Sequence, residues 1–466
     1  MRKFQYNFQM NNRIAIIGAG FSGAATAIHL LTRHGHKPFE VILINRHATL
    51  ARGVAYGTHS PAHLLNVPTG RMSVFAEREN DFLEFAHQTD AAITASDFVR
   101  RSLYGAYLHT RLDQAAAAAG KARLTVMTGE ITALRLKRDA AVLDFPDGRR
   151  LHADRVVLAV GHYPPANPPV PDHGVFAGTG YVRDPWSPGA LDQLPLDKPI
   201  LLLGTGLTMM DVALDLEQRG YQETLFALSR HGLLSQAHRA LPEMPQLEPP
   251  AALLAGAAKV RVYLHAVRTM IKESAHHGHD WRDVIGALRP ITPALWQALP
   301  ETERRRFLRH LQAYWDIHRH RTAPVSAQRL TQLLARGMLR VRAGRLLELR
   351  PASGAIHVNW RPRGKSLSEH WRGAAIINCT GPDSRIQRLD DLLIRSLLAS
   401  RLLTADPLEL GVATDDEGAL LDNAGRSSRV IYYTGPLLRS RDWECTAVPE
   451  LRRAALRLAD RLAGAW

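Results

Sequence analysis

The sequence predicts an α/β protein made of two Rossmann-like dinucleotide-binding domains with a helical insertion. Three features predict it: a strand, glycine turn, helix and strand over residues 13–46, a second copy of that pattern from residue 199, and a strand-poor, proline-broken stretch over about 245–325. The expected division is 1–195 for the first part of one domain, 196–375 for the second with its insertion, and 376–466 for a return to the first.

The first unit reads RIAIIGAGFSGAATAIHLLTRHGHKPFEVILINR, with strands expected at Ile14 to Ile17 and Val41 to Ile44. Gly18, Gly20 and Gly23 fit G-x-G-x-x-G, with Phe21 and Ser22 inside the motif. The first glycine permits the tight turn, the second lets a pyrophosphate approach the backbone, and the third lets helix and strand pack closely. The helix then aims its positive end at the phosphates. An acidic residue ordinarily receives the ribose hydroxyls at the end of the second strand; here Asn45 stands there, followed by Arg46. An amide can accept from one hydroxyl and donate to another. Two further strands end in small residues and glycine, LHADRVVLAVGH at Gly161 and GAAIINCTGP at Gly381. Read as returns beside the first unit, they favour FAD as its ligand.

The second unit, PILLLGTGLTMMDVALDLEQRGYQETLFALSRHG, carries Gly204 and Gly206, with Thr208 opening the helix. Two pyrophosphate cradles in one chain suit hydride transfer from a nicotinamide, NADH or NADPH, to a flavin. Met209 occupies the third glycine position and would hold this helix further from its strand. Arg230, past the second strand, either meets an NADPH 2′-phosphate or is a solvated strand-end arginine. Asp211 suits the helix dipole and needs no catalytic role. A Rossmann-like domain that has lost its nucleotide is the alternative.

The middle segment reads as helices. His276, His277 and His279 lack the further ligands of a metal shell and fit a polar helix end; no metal is expected. His318 and His320 face an anionic substrate or solvent, and Trp315 fits the core. Near the C-terminus, the strand Val430 to Tyr433 ends at Thr434-Gly435-Pro436, and a last amphipathic helix starts near Pro449. Arg439, Asp442 and Trp443 precede it and face either the ring of a flavin or an ordinary surface turn.

Composition narrows the classes. A 45% hydrophobic chain of 466 residues can fill two or more cores. The formal charge of +15 suits an anionic ligand, but arginine and histidine are scattered, Arg304-Arg305-Arg306 fits a solvated helix face, and no nucleic-acid recognition motif is present. No apolar run is long enough to cross a bilayer, and the first twelve residues lack a secretory pattern, so a cytoplasmic protein without membrane partners is expected. Cys379 and Cys445 form no Cys-x-x-Cys pair, which counts against a flavin disulfide reductase.

Taken in order, GAGFSG, GVAYGT with HLLNVP and RMS, GTGLTM.D, ALSR.GLL and W(E)..AVPE resemble a bacterial FAD/NAD(P)-binding family, with matches from Gly18 to Glu450. The sequence is more distantly similar to two-dinucleotide monooxygenases that hydroxylate amines or insert oxygen beside ketones. The resemblance implies that residues 52–73 run from the adenosine end toward the flavin ring, with Tyr56, Asn66 and Arg71 lining it. It also implies that the last helix points its N-terminus at the flavin pyrimidine carbonyl. The expected function is an FAD-dependent, NAD(P)H-consuming monooxygenase of a small molecule, using molecular oxygen, with urate as one implied substrate. Alternatives are a reductase or dehydrogenase with the same cofactors and a non-catalytic nucleotide-binding regulator, which Asn45 and Met209 would suit.

Overall fold

The structure, a computed structural model, describes residues 12–239 and 247–464. The first twelve residues, apart from Asn12, and the start of the expected insertion therefore lie outside the described residues. No helix among the described residues is long and apolar enough to cross a membrane.

Two sheets organise the molecule. The first has six strands in the order Ala419–Leu421, Ser427–Tyr433, Arg155–Leu158, Arg13–Ile17, Glu40–Asn45 and Arg123–Thr128, all parallel except the first. Its strands are short apolar runs because both faces are covered; Ile14, Ala15 and Ile16 are fully buried. On one face lie the helix Phe21–His34 and the C-terminal helix Val448–Gly464, which pack on each other. On the other lie the antiparallel strands Ala133–Lys137, Ala140–Asp144 and Arg150–Ala153 and the helix Leu392–Ala399, whose apolar side chains join one core with Ile42, Ile44 and Ile431.

The second sheet has seven strands, in the order Glu369–Gly373, Ala355–Pro362, Leu339–Ala352, Leu225–Ser229, Ile200–Leu203, Ala375–Asn378 and Tyr181–Val182. This corrects the expected division. Ala375–Asn378 pairs in parallel with Ile200–Leu203, and Tyr181–Val182 pairs with Ile376–Ile377. Residues on both sides of the expected 196–375 segment therefore belong to the second sheet, and the chain re-enters the first sheet only with the hairpin Ala419–Leu421 and Ser427–Tyr433. Gly381 accordingly follows a strand of the second unit, not of the first.

The insertion is helical, with Val260–Ala275, Trp281–Leu288, Thr292–Ala298, Glu301–His310 and Gln312–Arg319 its main described helices. Asp280 caps the second of these in a capping box with Asp283. Arg305 and Arg306 lie exposed on the expected solvated face, and only Arg304 turns partly inward. Arg304 donates to the carbonyls of Trp296, Gln297 and Leu299, while Arg305 pairs with Glu301 and Arg306 with Glu303.

Candidate active site

The first glycine turn is built as its spacing requires. Gly18 has φ +105°, and a Cβ there would lie 2.3 Å from the Ala159 carbonyl oxygen of the neighbouring strand's end. A Cβ on Gly23 would lie 1.9 Å from the Gly18 oxygen, so helix and turn touch through backbone alone. Gly20 starts the helix with no side-chain cap and no acidic residue in its first turn. Those N-terminal amides are left for an anion. Phe21 and Ser22 are buried behind them, Phe21 against Tyr104 and Tyr56. Gly435 joins the turn from the far end of the chain: a Cβ on it would stand 3.5 Å from Ser22 Oγ.

The second turn repeats this construction. Gly204 has φ +102°, and its Cβ would lie 2.4 Å from the Cys379 oxygen. Gly206 starts an uncapped helix, Leu207–Gln218, with no acid in its first turn, and the space where its Cβ would stand is open. Thr208 is half-buried in that first turn, and Met209 is fully buried in the core. Each turn lies at the point where its sheet reverses strand order, the position at which open α/β sheets bind ligands. The segments after the two returning strands meet, since Tyr163 bridges Asp383 in backbone pairing. Gly161 and Gly381 flank that bridge, at φ +73° and +90°, with open space in front of each. The donor set, uncapped helix amides and glycines that a Cβ would obstruct, fits the pyrophosphates of two dinucleotides.

Asn45 does more than await a ribose. Its Oδ1 accepts from the Ala19 amide at 3.3 Å, and its Nδ2 donates to the carbonyls of His47 and Thr49 at 2.7 and 2.9 Å. Both amide hydrogens are engaged, so the expected donation to a hydroxyl is taken up by the protein; the oxygen's second lone pair faces no such demand. Arg46 pairs with Asp391 at 2.7 Å and Glu130 at 3.0 Å, a tie to the N-terminus of the helix that Asp391 caps. Arg230 is exposed beyond the second strand; burial, then the charges of Arg363 and Arg230, lower the pKa of His231.

The segment GVAYGTHSPAHLLNVPTGRMS is held on the second unit. Ser60 Oγ donates to Asp215 on the second nucleotide helix, and Arg101, which also donates to the Leu64 carbonyl at 2.9 Å, pairs with Asp211 at 2.7 Å. Asp211 thus has a structural role the sequence did not reveal, as the anchor of a buried ion pair between the two units. Tyr56 lies edge-on to Tyr104 at 4.6 Å; it keeps some exposure while burial pushes its pKa up. The Asn66 carbonyl accepts from His238 Nε2 at 2.9 Å, and exposed Arg71 contributes to the positive field around His238.

A recess of ionisable groups lies beyond the first sheet. His162 follows Gly161 and is exposed, yet burial by its surroundings and the charge of Arg439 lower its pKa to about 4. A group both accessible and desolvated lines a cleft. Arg439 reaches within 4.0 Å of Asp316, whose pKa burial raises. Behind them Glu444 is buried at 5% exposure, accepts from Trp315 Nε1 at 2.7 Å and lies 3.0 Å from Arg319. Burial alone would raise its pKa, but His320, Arg319 and Trp315 outweigh that and hold it at about 2.

Of the residues expected at the ring, Trp443 is corrected. It is buried, its ring 4.6 Å from Trp296 and 5.2 Å from Phe307, with Arg439 stacked on it at 4.1 Å. It supports Arg439 from the core. Asp442 pairs with Arg441 at 2.6 Å, both largely shielded from solvent. His318 packs on Trp281 at 4.8 Å, while His320 turns to Glu444. The C-terminal helix has Glu450 in its first turn, held by Arg289 at 2.7 Å. Cys379 and Cys445 are both free and buried. Among the described residues no cluster of metal ligands occurs. His162, Asp316, Glu444 and Arg319 were missed in the sequence because their neighbours come from distant segments; the spacing of Asp316 and His320 along one helix was the only local signal.

Comparison with known proteins agrees with this construction. Residues 15–163 match a family model described as FAD-NAD(P)-binding. No curated protein matches the chain in sequence. Among solved structures, the chain resembles L-lysine 6-monooxygenase from Pseudomonas syringae, at 15% identity and TM-score 0.65 over 98% of this chain and 100% of that one. It resembles the FAD-bound cadaverine monooxygenase of desferrioxamine biosynthesis from Erwinia amylovora, at 12% identity and TM-score 0.65 over 97% and 94%. An ornithine N-hydroxylase from Kutzneria sp. 744, in a structure with reduced FAD, NADP+ and L-ornithine, aligns at 14% identity and TM-score 0.60 over 96% and 98%. The chain thus carries an FAD-NAD(P)-binding domain over residues 15–163, and its described residues adopt the fold of two-dinucleotide flavoproteins.

Proposed function

We propose that the protein is an FAD-dependent, NAD(P)H-consuming monooxygenase that hydroxylates a small molecule, acting in the cytoplasm. The observation that carries this reading is the pair of uncapped glycine turns, each at its sheet's switch point, joined through Tyr163 and Asp383. Likeness in fold to amine-hydroxylating enzymes along nearly the whole chain supports the reaction class. The chemistry FAD supplies when bound is two-electron redox and the use of molecular oxygen.

The chain's own residues bind, orient and exclude water. Gly18, Gly20, Phe21, Ser22, Gly23, Gly161 and Gly435 form the FAD cradle, and the Asn45 oxygen accepts a ribose hydroxyl. Gly204, Gly206, Thr208 and Gly381 hold the nicotinamide dinucleotide, and Arg230, exposed past the second strand, meets its 2′-phosphate. Tyr56, Asn66, Arg71 and Arg439 surround the ring end. His162, neutral above about pH 4, can accept a proton in the cleft. The net reaction consumes substrate, oxygen, NAD(P)H and a proton, and yields hydroxylated substrate, water and NAD(P)+.

The test is aerobic turnover under isotopically labelled oxygen with L-lysine, L-ornithine, cadaverine and urate. The expected result is substrate-dependent NAD(P)H oxidation and a product carrying one labelled oxygen. NAD(P)H oxidation that yields only peroxide with every compound favours the reductase reading, which uses the same two cradles.

A further inference from the structure

The insertion and the segment leading into it carry a cluster of arginines, Arg239, Arg282, Arg319 and Arg321, whose charges do not all balance inside the protein. Three of its arginines have a carboxylate each. Arg319 lies 3.0 Å from Glu444, Arg282 pairs with Asp280 at 2.9 Å, and Arg239 pairs with Asp283 at 3.1 Å. Arg321 has no such partner among the described residues, and its Nε is buried without a hydrogen bond. Its backbone is anchored. The backbone beside it pairs with residues 236–238, through Thr322 N to the Gln236 oxygen at 3.0 Å and His238 N to the Thr322 oxygen at 2.9 Å. The Trp281 ring lies 4.5 Å from the Arg282 guanidinium and 6.0 Å from that of Arg321.

The place of this cation matters for function. On one side, His238 ties the segment to Asn66 of the stretch expected at the flavin. On the other, His320, next in sequence, faces Glu444, with Asp316, Arg439 and His162 beyond. A guanidinium left without a counter-ion presents a planar fork that matches a carboxylate. Resting on the monooxygenase reading, we propose that the substrate is an organic acid whose carboxylate pairs with Arg321, leaving its other end to be oxidised near His162. Burial and the charges of Arg319, Arg282 and Arg71 lower the pKa of Arg321 to about 10, so this cation is disfavoured as it stands and an anion would relieve it. Cations already matched by their own acids gain far less from a further anion.

The experiment uses the FAD-loaded full chain and compounds that differ by one carboxylate: L-lysine against cadaverine, L-ornithine against putrescine, and benzoate against benzamide. Binding is read from perturbation of the flavin absorption. The expected result is that the acid of at least one pair binds about tenfold or more tightly than its counterpart, that Arg321→Gln abolishes the preference, and that Arg321→Lys restores part of it. Lack of acid preference in every pair, or a preference that survives Arg321→Gln, would overturn the proposal. FAD content and anaerobic bleaching by NADPH are measured on the same preparations. If they are intact while acid preference is absent, the carboxylate site alone falls; if wild-type protein is not bleached, the underlying redox reading falls with it.

Discussion

The two nucleotide turns are near copies in backbone and differ in how their helices are seated. In both, the first glycine donates to the second strand, Gly18 N to the Ile44 oxygen and Gly204 N to the Leu228 oxygen, each at 2.8 Å. The residues that start the helices are also alike: Gly20 has φ −74° and ψ −164°, Gly206 φ −83° and ψ −164°. The third motif position separates them. In the first unit even a methyl group would strike the Gly18 carbonyl, whereas the second buries the whole of Met209 there. The turn conformation therefore depends on the first two positions, and the third sets how closely the helix lies on the turn. At the second strand's end the units solve one problem differently. Asn45 braces the first turn with its amide, and Ser229 braces the second, through Thr205 Oγ1 at 2.8 Å and the Gly232 amide at 3.0 Å.

The largest effect is expected where the units are joined. Arg101 and Asp211 have side chains only 9% and 13% exposed, so Arg101→Ala strands a buried carboxylate and should cost about 3–5 kcal/mol in urea unfolding. Asp211→Asn added to it should recover part of that loss; no recovery would mean that the pair does not carry the junction.

Exchanging the third-position logic should separate the units functionally. Met209→Ala should cost about 2–5 kcal/mol through the cavity it leaves, with FAD retained after gel filtration. Gly23→Ala should cost about 1–3 kcal/mol through the backbone clash and should also strip FAD. Equal flavin content in the two variants would erase the distinction.

Glu444 gives the next effect, and it depends on pH. Its pKa is depressed in the folded state, from 4.5 to about 2, so the stability it contributes is complete above about pH 4.5 and is lost as pH falls toward 2. Glu444→Gln should lower the urea midpoint at neutral pH and differ progressively less from wild type below pH 4.5. A constant difference across that range would refute the assignment.

Smaller effects are expected at the strand ends. Arg230→Ala should raise KM for NADPH about tenfold and leave KM for NADH nearly unchanged; parallel changes would make it a solvated arginine. Asn45→Asp installs the acid usual at this position, yet it removes two donors from the His47 and Thr49 carbonyls, so FAD affinity should fall by about 1 kcal/mol. Tighter FAD binding would show that the ribose contact outweighs the brace.

Much of this was legible in the sequence because it is local. Both glycine turns, their flanking strands and helices, and the return ending at Gly161 follow from neighbouring residues. The membership of Ala375–Asn378 was not legible, since apolar strands ending in glycine look alike and strand pairing is decided by distant partners. The pairs Arg101 with Asp211 and Ser60 with Asp215 lie 110 and 155 residues apart in sequence, beyond any spacing rule. Trp443 read as facing either the flavin ring or a surface turn because its partners Trp296 and Phe307 come from the insertion. Asn45 read as a ribose ligand able to donate as well as accept because the carbonyls that occupy its amide become neighbours only once the turn is folded.

The central claim, that two dinucleotides meet in one cleft, is tested most directly by adding NADPH anaerobically to the FAD-loaded protein and following the visible flavin band. The account predicts rapid bleaching in wild type and slow bleaching in a Gly206 variant that keeps its FAD, because a side chain at Gly206 occupies only the second cradle. A wild-type flavin that NADPH and NADH both leave coloured would contradict it.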